Sequence, residues 1–233
     1  MLQLDPQLNK QENFTAGQVI LIDKPLTWTS FDVVKKIRNQ IRIKKVGHAG
    51  TLDPLATGLL ILCTGKKTKS IEGFMGQEKE YTGTITIGQT TPTYDLESET
   101  SEPVDISNIT IEQLEAAKQK FIGDIEQIPP MHSALKVGGK RLYELARKGQ
   151  TVEVKPRAVN ISEFELTKID LPVISFRVVC SKGTYIRSLA HDFGEALGVG
   201  GHLSSLRRTK IGDFSVDEAY TLDDLVNLIA DLS

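Results

Sequence analysis

One carboxylate stands in a stretch built mostly from glycine, proline and small side chains. Residues 47–58 read Gly-His-Ala-Gly-Thr-Leu-Asp-Pro-Leu-Ala-Thr-Gly, and Asp53 is their only group that is charged at neutral pH without help from a neighbour. Helices and strands disfavour this mixture, so the stretch predicts a loop of fixed path, a common place for chemistry. Asp53 followed by Pro54 is equally typical of an N-cap that opens a short helical turn, and the local pattern does not choose.

A single carboxylate permits some reactions and excludes others. It can act as a nucleophile or as a general base, and the sequence leaves both open. A glycoside hydrolase would need a second carboxylate across the scissile bond, and no motif places one beside Asp53. The four histidines are scattered and no Cys/His cluster has zinc spacing, which argues against a metal site. Gly65-Lys66 is not a P-loop, because position 60, where that motif needs glycine, is leucine.

Arg187 lies where a cation is unfavourable. It falls in the first turn of a predicted helix, where the backbone dipole disfavours positive charge. A buried carboxylate would explain it, and if Asp53 is that partner, the guanidinium would keep the pKa of Asp53 low. The alternative is an arginine that extends into solvent at little cost.

The net charge of −2 conceals a strong segregation. Residues 94–126 carry a charge of −7 and residues 217–233 carry −5, which leaves +10 on the rest of the chain. This segregation favours a phosphate-rich ligand, although any single basic cluster can equally be ordinary solvated lysines. The basic residues of the remainder include Lys44, Lys45, Lys66, Lys67, Lys69, Lys136, Lys140, Arg141, Lys155, Arg157, Lys182, Arg187, Arg207, Arg208 and Lys210.

Apolar periodicity predicts strands and helices around the Asp53 stretch. Tyr81 begins a predicted strand, a position where tyrosine is common without any function, and residues 89–108 are expected to form a polar surface connection. Ser30 is the predicted N-cap of a helix whose apolar positions are Phe31, Val34, Ile37 and Ile41. The other predicted strands are 18–22, 59–63, 152–154, 158–166, 173–180 and 207–211, and the other helices start at or just after Thr110, Thr184 and Thr221.

The remaining segments bear on compartment and organisation. Residues 127–150 are basic, glycine-bearing and poor in core residues, which favours an insertion that moves or binds. Cys63 and Cys180 each end an apolar run, typical of buried free thiols in a reducing compartment, although a disulfide between them is possible. No apolar run reaches the length of a membrane span and no signal peptide is evident, so we expect a cytoplasmic protein. No linker divides the chain, which predicts a single catalytic domain over residues 1–233.

The stretch around Asp53 resembles the catalytic motif of the TruB-type tRNA pseudouridine synthases, which make pseudouridine at position 55 in the T arm. Other segments resemble motifs of that family in the same order, over residues 17–215. These are Gly17 with Asp23-Lys24-Pro25 and Thr29-Ser30, the lysine–x–tyrosine strand at Lys79-Glu80-Tyr81, the RNA-gripping insertion at 127–149, the arginine motif at 180–194, and a last signature at 206–212.

The resemblance implies a role for each matched residue. Asp53 is the catalytic carboxylate, Arg187 pairs with it, and Tyr81 stacks on the target base and helps to remove the C5 proton. His48 helps to extract the nucleotide, although from the residues alone it would be a loop histidine that bonds the backbone. Lys24 and Pro25 support the loop. The residues implied to bind substrate are His48, Lys24, Tyr185, Lys136, Arg141, Arg207 and Arg208.

The resemblance also implies the reaction and the fold. The N1–C1′ bond breaks, the uracil turns, and C5 joins C1′, so nothing is gained or lost and no cofactor or metal is expected. Removing the base from its stack costs a few kcal/mol, which aromatic stacking in the pocket offsets. The implied fold is α+β, a mixed, largely antiparallel sheet flanked by helices, with an RNA-binding insertion. The implied partner is tRNA, through its T stem-loop, and we expect a monomer that needs no protein partner and has no membrane association.

Many bacterial members of the family carry a small C-terminal RNA-binding domain, for which this sequence has no room. We therefore expect weaker binding to the far end of the tRNA but an intact pocket. The rival class is a non-catalytic RNA-binding module, which segregated basic residues and aromatic side chains would serve equally well.

Overall fold

The computed structural model describes residues 2–133, 135–146, 149–150 and 152–232, and only the backbone of Lys136, Val137, Arg141, Tyr143 and Ala146. The helices are α1 (Lys10–Ala16), α2 (Ser30–Ile41), α3 (Ile71–Gly76), α4 (Ile111–Gln119), α5 (Leu142–Ala146), α6 (Ile186–Ala196) and α7 (Leu222–Ala230). The strands are β1 (Val19–Lys24), β2 (Val46–Ala49), β3 (Ala56–Thr64), β4 (Lys79–Ile87), β5 (Gly123–Gln127), β6 (Lys136–Val137), β7 (Lys140–Arg141), β8 (Arg157–Asp170), β9 (Val173–Cys180), β10 (Gly201–Ile211), β11 (Phe214–Ser215) and β12 (Tyr220–Thr221).

These elements group into two compact units. The first comprises the described residues of Met1–Tyr81 and Leu206–Ser233, and the second those of Thr82–Ser205. In the first unit the strand order is β12-β1-β3-β10, with β2 beside β3 and β11 beside β10. In the second unit it is β4-β9-β8-β5, and β6 pairs separately with β7. Strands β4 and β10 contribute residues to both units.

The sheet is mixed and largely antiparallel. The pairs β1–β12 and β3–β10 are parallel, whereas β1–β3, β2–β3, β10–β11, β5–β8 and β8–β9 are antiparallel. With helices packed on it, this sheet confirms the α+β class that the resemblance implied.

Strands β1 and β3 of the first unit are buried on both faces. Ile20 and Leu60 pack in a core cluster with side chains of α1, α2 and α7. Their neighbours Leu21 and Ile61 pack on the opposite face, with Ala49 of β2 and residues near β11. Burial on both faces explains why residues 59–63 of β3 are all apolar instead of alternating with polar residues.

A cluster of phenylalanine rings fixes α6 in the second unit. Phe164 of β8 meets Phe176 of β9 edge to face, with ring centroids 6.3 Å apart, and meets Phe193 of α6 at 5.9 Å. Edge-to-face contacts add to the gain from burial. The first turn of the helix held in this way contains Arg187.

The start of α2 differs by one residue from the prediction. Thr29, not Ser30, is the N-cap, and it forms a capping box with Asp32. Phe31 was predicted to be buried, but it is 61% exposed, and Val33 takes the core position. Val34, Ile37 and Ile41 are buried as predicted, whereas Phe31 lies about 120° around the helix from Ile37 and so falls outside their stripe.

The connection between β4 and α4 is not a simple surface loop. Thr91, Thr93 and Asp95 are buried, against the expectation for residues 89–108. Their polar groups are paired, since the Thr91 hydroxyl donates to the carbonyl oxygen of Asp95 (2.7 Å) and the Thr93 and Ser98 hydroxyls lie 2.7 Å apart. Paired polar groups can be buried without a large penalty, and the sequence did not reveal this pairing.

Several local predictions are confirmed. Thr110 caps α4 in a capping box with Gln113, and Thr221 caps α7. Cys63 and Cys180 are both free and buried. Among the described residues, no helix has both the length and the apolar character needed to cross a membrane.

Candidate active site

Asp53 lies on a short connection between two paired strands of the first unit. The predicted loop of residues 47–58 is shorter than expected, because its ends belong to β2 and β3, which pair antiparallel with His48 opposite Leu62. Gly58 must be glycine, because its φ is 102° and an added Cβ would lie 2.2 Å from the backbone oxygen of Arg208. Strand pairing therefore fixes both ends of the Asp53 connection.

The connection itself contains a β-turn and not a helix. The backbone N–H of Ala56 donates to the carbonyl oxygen of Asp53 at 3.0 Å, with Pro54 at the second position of the turn. That position suits proline, whose φ is preset. Asp53 is half-buried, so part of its surface is accessible.

Ser30 forms hydrogen bonds to the backbone of the Asp53 connection. Its buried hydroxyl accepts from the backbone N–H of Leu52 at 2.9 Å and donates to the carbonyl oxygen of Leu52 at 3.2 Å. The N–H of Thr27 also donates to the carbonyl oxygen of Pro54 at 2.8 Å. The residues on either side of Asp53 are thus held by the segment that leads into α2.

Lys24 is buried beneath this turn. It is 0% exposed, and its Nζ donates to the carbonyl oxygens of Trp28 (2.6 Å), Pro25 (2.9 Å) and Pro54 (3.4 Å). Burial lowers the pKa of Lys24 to about 8, and the nearby charge of Asp53 partly opposes this shift. The implied support of the loop agrees with these contacts. The implied contact of Lys24 with substrate stays a prediction.

The two arginines predicted to bind RNA differ in burial. Arg208 is 1% exposed, and its guanidinium donates to the carbonyl oxygens of Leu59 (2.8 Å) and Gly50 (3.1 Å). It therefore holds backbone around the Asp53 connection, and its implied contact with substrate stays a prediction. Arg207 forms a two-point ion pair with Asp23 at 2.9 and 2.7 Å and keeps part of its side chain exposed, so its contact with RNA stays a prediction.

His48 and Tyr81 also belong to the first unit. His48 is in β2, and burial lowers its pKa, which a hydrogen bond to the backbone of Gly50 partly opposes. The imidazole is therefore mainly neutral at neutral pH. Tyr81 lies near the start of β4 and is half-buried. Their roles toward a nucleotide stay predictions.

Arg187 is the centre of a polar network in the second unit. It is 4% exposed, which excludes an arginine that extends into solvent. Nη1 lies 3.6 Å from Oδ2 of Asp95, itself 4% exposed, and 3.4 Å from the carbonyl oxygen of Thr93. Nη2 donates to the carbonyl oxygen of His132 at 2.8 Å. The pairing of Arg187 with Asp53 stays a prediction.

Tyr185 lies just before α6. Its backbone N–H donates to Oε1 of the buried Gln127 at 2.7 Å, and Nε2 of Gln127 donates to its carbonyl oxygen at 3.0 Å. This reciprocal pair fixes the residue that precedes the helix, while the Tyr185 side chain remains half-buried. Sequence reasoning singled out neither Gln127, which begins the 127–149 segment, nor Asp95, because the partners of both lie far along the chain.

Lys136 and Arg141 face each other in the register of β6 and β7. Their side chains lie outside the part of the chain that is described, so their contacts with RNA stay predictions. Within the described residues, no group of three histidine, cysteine or acidic side chains is placed to hold a metal ion.

The fold and the half-exposed Asp53 fit a pseudouridine synthase, the class that two sequence profiles identify. The sequence profile of the N-terminal domain of TruB family pseudouridylate synthases matches residues 38–186, and that of the C-terminal domain of tRNA pseudouridylate synthase B matches residues 187–232. The chain belongs to the TruB family of pseudouridylate synthases.

Relatives and solved structures agree with this assignment. Proteins named tRNA pseudouridine synthase B from Flavobacterium johnsoniae and Phocaeicola vulgatus are 54% and 55% identical, covering 89% and 91% of this chain and 94% and 92% of their own. A chain in the crystal structure of a Cbf5–Nop10–Gar1 complex is 31% identical with a TM-score of 0.72. That match covers 97% of this chain but only 60% of the other.

Proposed function

We propose that this protein is an isomerase that converts uridine to pseudouridine at position 55 in the T arm of tRNA. One observation supports this most directly. In a chain of the TruB family, Asp53 is half-exposed on a turn whose flanking backbone is bonded by Ser30, Lys24 and Arg208. A preorganised carboxylate loses little entropy when it meets its reacting atom.

The chemistry needs one acid and no added reactant. The N1–C1′ bond of the uridine breaks, the uracil turns, and a C5–C1′ bond forms while the C5 proton leaves and N1 gains a proton. Asp53 acts either as the nucleophile at C1′ or as the base that starts an elimination. Arg187 is the cation expected to keep Asp53 ionised, and Tyr81 the ring expected to stack on the uracil.

Five further residues are assigned to recognition of the tRNA. His48, in the strand that precedes the turn, helps to extract the nucleotide, and Tyr185 lines the pocket. Arg207, Lys136 and Arg141 contact the RNA backbone. The protein acts as a monomer in the cytoplasm without a protein partner.

Site mapping on an unmodified T stem-loop tests this function. The RNA is incubated with the protein, treated with a carbodiimide that marks pseudouridine, and copied by reverse transcriptase. We expect a single stop that reports position 55, and none when that uridine is replaced by cytidine. Stops at other uridines, or no stop although the RNA binds, would contradict the proposal.

A further inference from the structure

Two aromatic rings stack face to face beside the Arg187 network. The ring centroids of Tyr94 and His191 lie 3.9 Å apart, with the ring planes 9° from parallel, and both side chains are half-buried. Tyr94 has a φ of 64°, in the left-handed region that bulky side chains rarely adopt. Backbone strain of this kind persists only where the surrounding contacts maintain it, and it is typical of functional sites.

Both chain neighbours of Tyr94 contact Arg187. The carbonyl oxygen of Thr93 lies 3.4 Å from Nη1, and Oδ2 of Asp95 lies 3.6 Å from the same nitrogen. The left-handed backbone conformation of Tyr94 turns the chain between these two residues. The carbonyl group of Thr93 and the carboxylate of Asp95 can therefore both reach the guanidinium of Arg187. The strain at Tyr94 is therefore tied to the geometry around Arg187.

The partner ring is on the same helix as Arg187. His191 follows Arg187 by four residues in α6, so the two lie on one face, one turn apart. Residues 93–95 thus contact this face at two positions. Tyr94 stacks on His191, and Thr93 and Asp95 contact Arg187. The backbone of Tyr94 is also fixed, since its carbonyl oxygen accepts from Leu203 at 2.9 Å.

We propose that the Tyr94–His191 stack is a positioning device for the isomerisation. The stack keeps Thr93 and Asp95 in contact with Arg187 and thereby fixes the orientation of its guanidinium. Tyr94 and His191 are positioning residues that act through Arg187. This inference rests on the proposed function, because that function assigns Arg187 to the reaction.

Replacement of each ring tests the device. Tyr94→Ala and His191→Ala should lower kcat for pseudouridine formation by about tenfold to a hundredfold, as expected for a small misplacement of a catalytic group, while KM for tRNA stays near the wild-type value. Tyr94→Phe and His191→Phe keep the stack and should restore wild-type kcat. His191 Nδ1 is buried and has no hydrogen-bond partner among the described residues, so phenylalanine loses no bond at that atom.

Two further variants separate positioning from stability. Tyr94→Gly removes the ring but adopts a φ of 64° freely, so it should lower kcat without lowering the melting temperature much. Phe214→Ala breaks the Phe74–Phe214 pair of the other unit and should leave kcat unchanged. The inference is overturned if Tyr94→Gly and His191→Ala keep wild-type kcat, or if the phenylalanine variants lose as much as the alanine variants. A wild-type protein that makes no pseudouridine would overturn the proposed function and the inference together.

Discussion

The buried ammonium of Lys24 donates to the carbonyl oxygen of Pro54, the residue that follows Asp53. The same nitrogen donates to Trp28 and Pro25, so one cation joins the end of β1 to the turn that carries the candidate catalytic acid. A hydrogen bond to a charged group is stronger than a neutral one. We therefore expect the position of Asp53 to depend on the bonds that Lys24 makes to this backbone.

The stability contributed by Lys24 should depend on pH with a definite sign. Its native pKa is about 8, whereas the unfolded residue keeps its proton up to about 10.5, so between these values the unfolded state binds more protons. Wild type should therefore gain stability relative to Lys24→Met as the pH rises from 8 to 10.5, by about 3 kcal/mol in all. Urea unfolding of both proteins across this range measures the gain. Lys36→Met, an exposed lysine of α2, should show no such trend, and a constant difference for Lys24→Met would contradict the lowered pKa.

Ser30 and Thr29 form a matched pair of neighbouring hydroxyls. Ser30→Ala leaves the N–H of Leu52 without its partner, at a cost of about 1–3 kcal/mol. Thr29→Ala removes the N-cap of α2, at a cost of about 1 kcal/mol. Only Ser30 bonds the Asp53 connection, so Ser30→Ala should lower kcat by about tenfold or more, whereas Thr29→Ala should not. Equal kcat in the two variants would show that the bond to Leu52 does not position the acid.

Asp95→Asn should disturb both stability and activity. The substitution keeps the shape but removes a buried negative charge that lies 3.6 Å from Nη1 of Arg187, which costs about 3 kcal/mol by analogy with other buried pairs. We expect a clearly lower denaturation midpoint and a lower kcat, measured on the same preparation. Glu99→Gln, an exposed change in the same connection, is the control and should match wild type. A wild-type midpoint in Asp95→Asn would contradict the pair.

Arg208 and Arg207 should respond differently to salt. Arg208→Lys removes the guanidinium group that donates to the carbonyl oxygens of Leu59 and Gly50. We therefore expect lower stability but an unchanged salt dependence of RNA binding. Arg207→Gln, at the half-exposed neighbour, should reduce the slope of log K against log salt by about one if it contacts a phosphate. Filter binding at several salt concentrations gives both slopes. A reduced slope in Arg208→Lys would mean that its guanidinium reaches the RNA after all.

Local patterns in the sequence predicted most of the secondary structure. The caps at Thr110 and Thr221 and the strand that ends at Cys180 follow from short-range rules, because their partners lie within a few residues. The start of α2 was displaced because Thr29 and Ser30 are both good caps. The capping box of Thr29 with Asp32 favours Thr29, while the Ser30 hydroxyl bonds Leu52, 22 residues away.

The site was harder to predict than the fold. The resemblance supplied Asp53, Tyr81 and Arg187, and Lys24 as a support of the loop, but not the partners of Arg187. Asp95 stands in an acidic, polar segment that is typical of surface, and its burial depends on Arg187 far along the chain. Arg208 lies in a basic run that suggests RNA, yet its guanidinium bonds backbone carbonyls. Such long-range pairings leave no periodicity in a sequence.

The most direct test of the central claim is release of tritium from tRNA labelled at C5 of uridine. Wild type should release the label from one uridine per tRNA, and Asp53→Asn should release none while binding the tRNA as tightly as wild type. Asp105→Asn, an exposed carboxylate, should behave as wild type. Release at the wild-type rate by Asp53→Asn would contradict the role of Asp53, and binding without any release by wild type would show a non-catalytic RNA-binding protein.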